Sequence, residues 1–510
     1  MANPMAAPNV FAPRMRAVRL LGEEGMQKVV AAQEPGGSGD IYEGLNEDQK
    51  QALKEATSMG FPPKAWFDYP YMGDGALMVL VPAVYQMFPT YFKDFWEKEG
   101  YEGADPESNE ARAHMKLVTT VEHLDYDYAE PELSEEEKNT VDTSWLNTIL
   151  GGEKLPHIYL KDAIPADTYT YHCRFKVLDG ACAGKEINIS SIDGNMLELH
   201  PENDGKHENP FKELKPGDQV MIDNGDAIAM QCFHRHQLPD ETYDVYDQFR
   251  NEDGSPKYTQ LPMLVAPMTA ISGAGLMPTG NIHGKVIGIC SMMDESACPW
   301  HGDWYRKAIG RCGIDEQDHF RLYYHDNSIH DDRAGYLDDP QNQVDYLGTL
   351  HQALLDVAAW CEKGIEPFDT MNYTYADGQI TLPKGAKERG GMQPVVSAVV
   401  ENAAGQSDYD GKVTRAKVGE NICFKAVIEV PPKAGKVTHA AWDYEKTNDW
   451  SNDEVIEAVD DTTYKIEADH VFTKPGIYYP VIKVASNRHG DAGDIFTQCK
   501  NLDRVKVIVE

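Results

Sequence analysis

The chain is poor in positive charge. Its 510 residues hold 47 Lys and Arg against 83 Asp and Glu, a net charge of −36. Such a polyanion repels phosphates, and no run of basic residues offsets it, so a nucleic-acid partner is excluded. An apolar run of about 18 residues is also missing, which excludes a membrane-spanning helix. There is no CxxC pair. Nine cysteines stand dispersed at Cys173, Cys182, Cys232, Cys290, Cys298, Cys312, Cys361, Cys423 and Cys499, so a structural zinc site is not expected. They read mostly as buried thiols, with a local bridge, Cys298–Cys312 or Cys173–Cys182, left open for an oxidising compartment. The opening Met1-Ala2-Asn3-Pro4-Met5 lacks the basic and apolar regions of a signal peptide. This leaves a cytosolic protein, a removed signal, or export with another chain. The stretch Asp223-Asn224-Gly225-Asp226 lacks the spacing and terminal Glu of an EF-hand and reads as a turn.

What is there suits a folded protein: 41% hydrophobic and 25% charged residues, with a length for about three domains. Residues 12–59 read as helical. The run 49–58 carries Ala52, Leu53 and Ala56 at helical spacing, with Asn46 or Asp48 as N-cap and Gly60-Phe61-Pro62-Pro63 as the stop. Residues 60–150 are rich in aromatics, from Trp66 and Phe67 to Trp96 and Tyr101, which pack on the core or line a lid. A third strand of a parallel sheet is expected near 76–81. The charged Ser134-Glu135-Glu136-Glu137-Lys138 has no assigned function. Segments 169–177, 185–192, 196–200 and 219–222 alternate like short strands, with Asp193-Gly194-Asn195 as a hairpin signal. The expected divisions are 1–154, a β-rich insertion acting as lid or cap over 155–270, an α/β segment over 271–392, and a β-sandwich over 393–510. Six or seven strands are expected in the last of these.

The candidate chemistry follows two strands. The run 284–290 is the continuous apolar kind that is buried on both faces. Soon after it come Asp294, Glu295 and Ser296. The strand 320–324 leads into His325, Asp326, Asn327, Ser328, Ile329 and His330, and an amphipathic helix over 346–363 is capped by Gly364. A buried carboxylate that holds an imidazole lets the histidine act first as base and then as acid.

Met292-Met293-Asp294-Glu295-Ser296-Ala297-Cys298-Pro299-Trp300-His301-Gly302-Asp303-Trp304-Tyr305-Arg306, with Tyr324-His325-Asp326-Asn327-Ser328-Ile329-His330, resembles the late segment of α/β hydrolases. The likeness is to large bacterial secreted-type enzymes, some grouped with tannase-like and other esterases. Gly60-Phe61-Pro62-Pro63-Lys64-Ala65-Trp66-Phe67 and Tyr91-Phe92-Lys93-Asp94-Phe95-Trp96 resemble their middle region. The resemblance covers most of 12–392 and implies an α/β fold with an α/β-hydrolase-type sheet. It implies Asp294 as triad acid and His330 as triad histidine, with His325 in reserve, for a Ser-His-Asp acyl transfer on an ester or, second, an amide. Trp300, Trp304 and Tyr305 follow the acid directly and either line an acyl or aryl pocket or pack. No cofactor and no metal is expected.

Ala441-Trp442-Asp443-Tyr444, His470-Val471-Phe472 and Lys474-Pro475-Gly476-Ile477-Tyr478 resemble a PKD-type immunoglobulin-like module. This implies a binding or spacing domain, with Asp443 and His470 structural, and an extracytoplasmic setting, periplasmic or secreted.

The chain departs from the hydrolase pattern at the nucleophile, because Gly-x-Ser-x-Gly is absent. Ser272, in Ala270-Ile271-Ser272-Gly273-Ala274 after the apolar 264–266, and Ser38, in Gly36-Gly37-Ser38-Gly39-Asp40, are weak substitutes, and Cys232 a weaker one. No early βαβ series precedes residue 60. The sheet is therefore expected to be incomplete, with the nucleophile on a second polypeptide. Two alternatives stand beside this: a non-catalytic binding or assembly subunit, and a metal-dependent hydrolase using His234-Arg235-His236 with Asp240, Glu241, Asp244 and Asp247.

Overall fold

A computed structural model describes residues 6–72, 77, 80–128, 153–166, 168–170, 172–199, 209–274, 278–330, 340–451 and 453–510. Residues 134–138 lie outside them. The chain divides into two compact units: one holds 74–237 and 256–265, the other 1–73, 238–255 and 266–510.

The first unit is built on a closed antiparallel barrel. Its strands are β1 (Lys116–Asp125), β2 (His157–Leu160), β3 (Arg174–Val177), β4 (Glu186–Asp193), β5 (Met196–Leu199) and β6 (Gln219–Asp223). They close in the order β1-β2-β5-β4-β3-β6. The period-two pattern drives this: Phe175, Ile187, Ile189, Leu197, Val220 and Ile222 all turn into one core, and closure leaves no unpaired edge. The β4–β5 turn needs Gly194, whose φ is 61°, at the first central position of a two-residue hairpin loop. Beside the barrel strands in sequence, helices Val81–Met87, Tyr91–Glu97 and Gly225–Cys232 carry the aromatic residues of this unit. Tyr91, Phe95, Tyr101 and Phe233 meet there largely edge to face.

The second unit begins with helix Ala6–Gln33, broken at Gly22, and helix Glu47–Ser58. Asn46 caps the latter and forms a capping box with Gln49, which satisfies two otherwise orphaned backbone donors. Next comes β7 (Val286–Ser291), helix Trp300–Arg311 and β8 (Phe320–His325). The strands pair in parallel from Val286↔Phe320 to Ser291↔His325. All of β8 is buried. Helix Leu347–Lys363 then ends on Gly364 in the left-handed conformation, φ 67°. A hairpin of β9 (Thr374–Ala376) and β10 (Gln379–Thr381) leads on to the last strands.

These form three small sheets. The first joins β11 (Val395–Glu401), β13 (Asn421–Glu429), β16 (Thr463–Val471) and β15 (Glu457–Ala458). The second joins β12 (Val413–Ala416), β20 (Lys506–Val509) and β17 (Gly476–Tyr478). The third joins β14 (Lys436–Asp443), β18 (Val481–Asn487) and β19 (Cys499–Arg504). One core takes side chains from all three, Phe424, Ile466, Trp442, Ile482 and Val507 among them.

The expectation of an α/β-hydrolase-type sheet joined to an immunoglobulin-like sandwich is therefore corrected. Among the described residues the sheet holding β7 and β8 has two strands, a closed six-stranded barrel takes up the β-rich stretch, and the C-terminal strands split into three sheets. The physical cause is visible in two places. The alternating segments over 174–223 close into a ring with β1 and β2 and offer no edge to a larger sheet. Of the segment 76–81, where a third parallel strand is expected, 76, 78 and 79 lie outside the described residues, and its last residue, Val81, opens a helix with Pro82 in its first turn, where proline's missing N–H costs nothing.

Candidate functional site

The parallel pairing brings the ends of β7 and β8 together and keeps them together beyond the strands. The Met292 N–H donates to His325 O at 2.9 Å and the Met293 N–H to Ser328 O at 2.8 Å. Asp294 and His330 follow directly on these two paired segments. His330 Nδ1 lies 3.1 Å from both carboxylate oxygens of Asp294. Asp294 Oδ1 also accepts the N–H of Ser296 at 2.8 Å and of Ala297 at 2.5 Å. That turn fixes the carboxylate before the imidazole arrives. The Asp294 side chain is 10% exposed and the His330 side chain 41%. A shielded acid thus meets an accessible base, at the carboxyl ends of parallel strands where crevices form.

Two other histidine–carboxylate pairs among the described residues lack this combination. His236 is wholly buried against Glu102, while His439 meets an Asp453 that is itself 56% exposed. A buried carboxylate interacts more strongly with its partner than a solvated one does.

His325, the reserve candidate, ends β8 and is buried. Its Nδ1 lies 3.1 Å from Ser328 Oγ and 3.2 Å from Gln393 Nε2. Burial pulls its pKa down to about 4, against the opposing pull of Asp345 and Asp326. Trp300, Trp304 and Tyr305 sit in packing contacts. Trp300 Nε1 donates to Met59 O at 3.0 Å. Trp304 stacks on Tyr243 with centroids 4.6 Å apart, and Tyr305 meets Phe320 edge-on.

The weak nucleophile candidates fall as follows. Ser38 lies in the loop after the first helix, where its Oγ accepts the Asp40 N–H at 3.3 Å. Ser272 lies in helix Val265–Ala274, so the apolar 264–266 leads into a helix and not a strand; its side chain is outside the described residues. Cys232 ends helix Gly225–Cys232 and is buried. All nine cysteines are thiols. Burial drives Cys290 up to about 12 and Cys298 well above the usual thiol range, which suits inert packing groups. In the His-x-His stretch, His236 Nε2 faces Glu102 at 3.1 Å and its Nδ1 faces Thr259 O at 2.7 Å. Arg235 binds the other oxygen of Glu102 at 2.8 Å. Burial works against the charge of Glu102, but His236 and Arg235 overcome it and hold the carboxyl down at about 2. Asp244 accepts from the Tyr375 hydroxyl at 2.5 Å. No cluster of three or more metal-ligating His, Cys, Asp or Glu side chains occurs among the described residues.

Two residues near the crevice carry chemistry that their place in the sequence does not mark. His301, inside helix Trp300–Arg311, is 3% exposed. Neither ring nitrogen has a hydrogen-bond partner among the described residues. Burial lowers its pKa to about 3, against the opposing effect of Asp294. Asp326, directly after β8, is flanked by Lys64 and Arg389, each at 3.4 Å. Burial raises its pKa, but those two cations outweigh it and leave the carboxyl below its ordinary value. Asn327 follows with φ 54°, a left-handed position that asparagine tolerates.

No protein-family model matches the chain, and no curated protein matches it in sequence. Neither comparison identifies an α/β-hydrolase or a PKD-type region. Among the described residues no helix is long and apolar enough to cross a membrane.

Proposed function

We propose that the protein is a hydrolase of ester bonds, with amides second, in which His330 transfers the proton and Asp294 orients it. One observation carries the reading: the buried, turn-held carboxylate of Asp294 against Nδ1 of the accessible His330. With Nδ1 facing the acid, Nε2 is the nitrogen that proton transfer uses. It takes a proton from the attacking hydroxyl and returns it to the leaving group. The carboxylate stabilises the imidazolium that forms between those steps. The attacking hydroxyl belongs to a serine, of this chain or of a second polypeptide; an extracytoplasmic setting is proposed with it on the PKD-type resemblance alone.

The test is turnover of a panel of p-nitrophenyl esters, with fluorophosphonate labelling of the native material. His330→Gln and Asp294→Asn are each expected to lower kcat by about 10²- to 10⁴-fold while the protein still folds. Labelling of this chain assigns the serine to it, and labelling of a co-purifying chain assigns it there. Unchanged turnover in His330→Gln overturns the proposal.

A further inference from the structure

A cavity of about 540 Å³ opens beyond the carboxyl ends of β7 and β8, with Met293, Asp326 and Asn327 in its wall. Its size falls within the range of small-molecule sites. Its charge is the opposite of the molecule's. In a chain of net charge −36, this wall holds five cationic side chains, Lys64, Lys384, Arg389, Lys412 and Arg504, against three carboxylates.

The carboxylates are already spent on part of that set. Glu34 pairs with Arg504 at 2.7 Å, and Asp503 pairs with Lys412. Asp326 is shared between Lys64 and Arg389, and Lys64 also donates to Asn327 Oδ1 at 3.0 Å. Positive charge is left over, and the donors that carry it are identifiable. Arg389 is only 6% exposed. Its Nε donates to Pro383 O and its Nη1 to Asp326, while Nη2 has no partner among the described residues. Lys384 stands exposed with no ion pair among the described residues.

A buried guanidinium in a cavity wall that uses two of its three nitrogens is built to complete its bonding with an oxyanion. We infer that this pocket binds a small oxyanion, carboxylate or phosphate in kind, held by Arg389 and Lys384. The inference does not depend on the hydrolase reading, since its readout is binding and not turnover.

Calorimetric titration of the full chain at low ionic strength, with citrate and separately with inorganic phosphate, tests it. One saturable site is expected. Lys384→Glu, at an exposed position, is expected to weaken binding by about tenfold or more without changing thermal unfolding, and Arg389→Lys to weaken it by removing the fork. Preference for citrate assigns a carboxylate ligand, and preference for phosphate assigns a phosphate. Absence of saturable binding by both overturns the inference. So does a citrate affinity that Lys384→Glu leaves unchanged.

Discussion

His301 and His325 are neutral side chains in places where charge is unaffordable, and that sets how the protein meets acid. Their folded pKa values lie near 3 and 4, against about 6.5 for an unfolded histidine. Above pH 6.5 both states are neutral and neither group affects stability. As the pH falls, the unfolded chain takes up protons that the folded chain refuses. Stability is therefore lost from about pH 6.5 downward, by up to about 1.4 kcal/mol per pH unit for each group. The depressed carboxyls Asp326 and Glu102 act only below their ordinary values of 3.8 and 4.5, so the two windows separate. Urea midpoints measured from pH 7.5 to 4.5 are expected to fall below pH 6.5. His301→Phe is expected to flatten that fall, and to stabilise by about 1 kcal/mol at pH 7 because it removes unpartnered buried nitrogens. An identical pH profile for His301→Phe would show that the buried imidazole does not control it. Asp294 and His330 are legible in the sequence because each follows a recognisable strand by a few residues. His301 is not, because its isolation is a property of packing: the ring lies within a helix and only the fold denies it a partner.

Helix Leu347–Lys363 is held at its two ends by glycines that work by different physics. A methyl group on Gly348 would lie 1.8 Å from Gln498 O, on the residue just before β19. Gly364 has open space around it but sits at φ 67°. Gly364→Ala loses only the left-handed cap, costing about 1 kcal/mol. Gly348→Ala gains up to about 1 kcal/mol of helix propensity, yet must push a backbone carbonyl aside. Overpacking of that kind costs about 1–3 kcal/mol or more, so the clash wins. Denaturant midpoints should rank wild type above Gly364→Ala, with Gly348→Ala lowest; the reverse order of the two variants would refute the close approach. Gly364 is readable from sequence as a stop after an apolar stripe. Gly348 is not, since its neighbour lies 150 residues away in the chain. The same divide runs through the strands. β3 to β8 stand out by alternation or by a continuous apolar run. β1 does not: its alternation stops at the irregularity between Val121 and His123, and the aromatic-rich stretch before it masks the start of the barrel. That the alternating strands would close into a ring depends on pairings such as β1 with β6, Lys116 opposite Asp223, which no local pattern contains.

At the scale of the whole molecule the dominant quantity is charge. Even with every Lys and Arg paired, 83 acidic against 47 basic residues leave a large surplus of carboxylates with no cation to face. Their mutual repulsion favours expansion of the chain. The cationic pocket beyond β7 and β8 is a local exception, too small to alter that balance. Salt acts on two opposed populations. It weakens exposed pairs such as Lys93–Glu97, 3.7 Å apart with both side chains well exposed, but such pairs contribute little to stability. It also screens the surplus carboxylates, since the Debye length shrinks from about 30 Å at 0.01 M to about 10 Å at 0.1 M. Relief of the repulsion outweighs the weakening of the pairs, so added NaCl stabilises. At pH 8 the thermal midpoint is expected to rise between 20 and 300 mM NaCl by about 1 °C for each kcal/mol of repulsion relieved. The expectation is sharper because of where the charge vanishes. Near the pI of about 4.8 the net repulsion is gone, while roughly half of the cost of His301 and His325 is felt. Salt should then leave the midpoint nearly unchanged, even though the protein is less stable there than at pH 8. Thermal melts at both pH values and both salt concentrations separate the two effects. A salt response of equal size at pH 8 and pH 5 would mean that specific ion binding, and not screening of the surplus charge, is responsible.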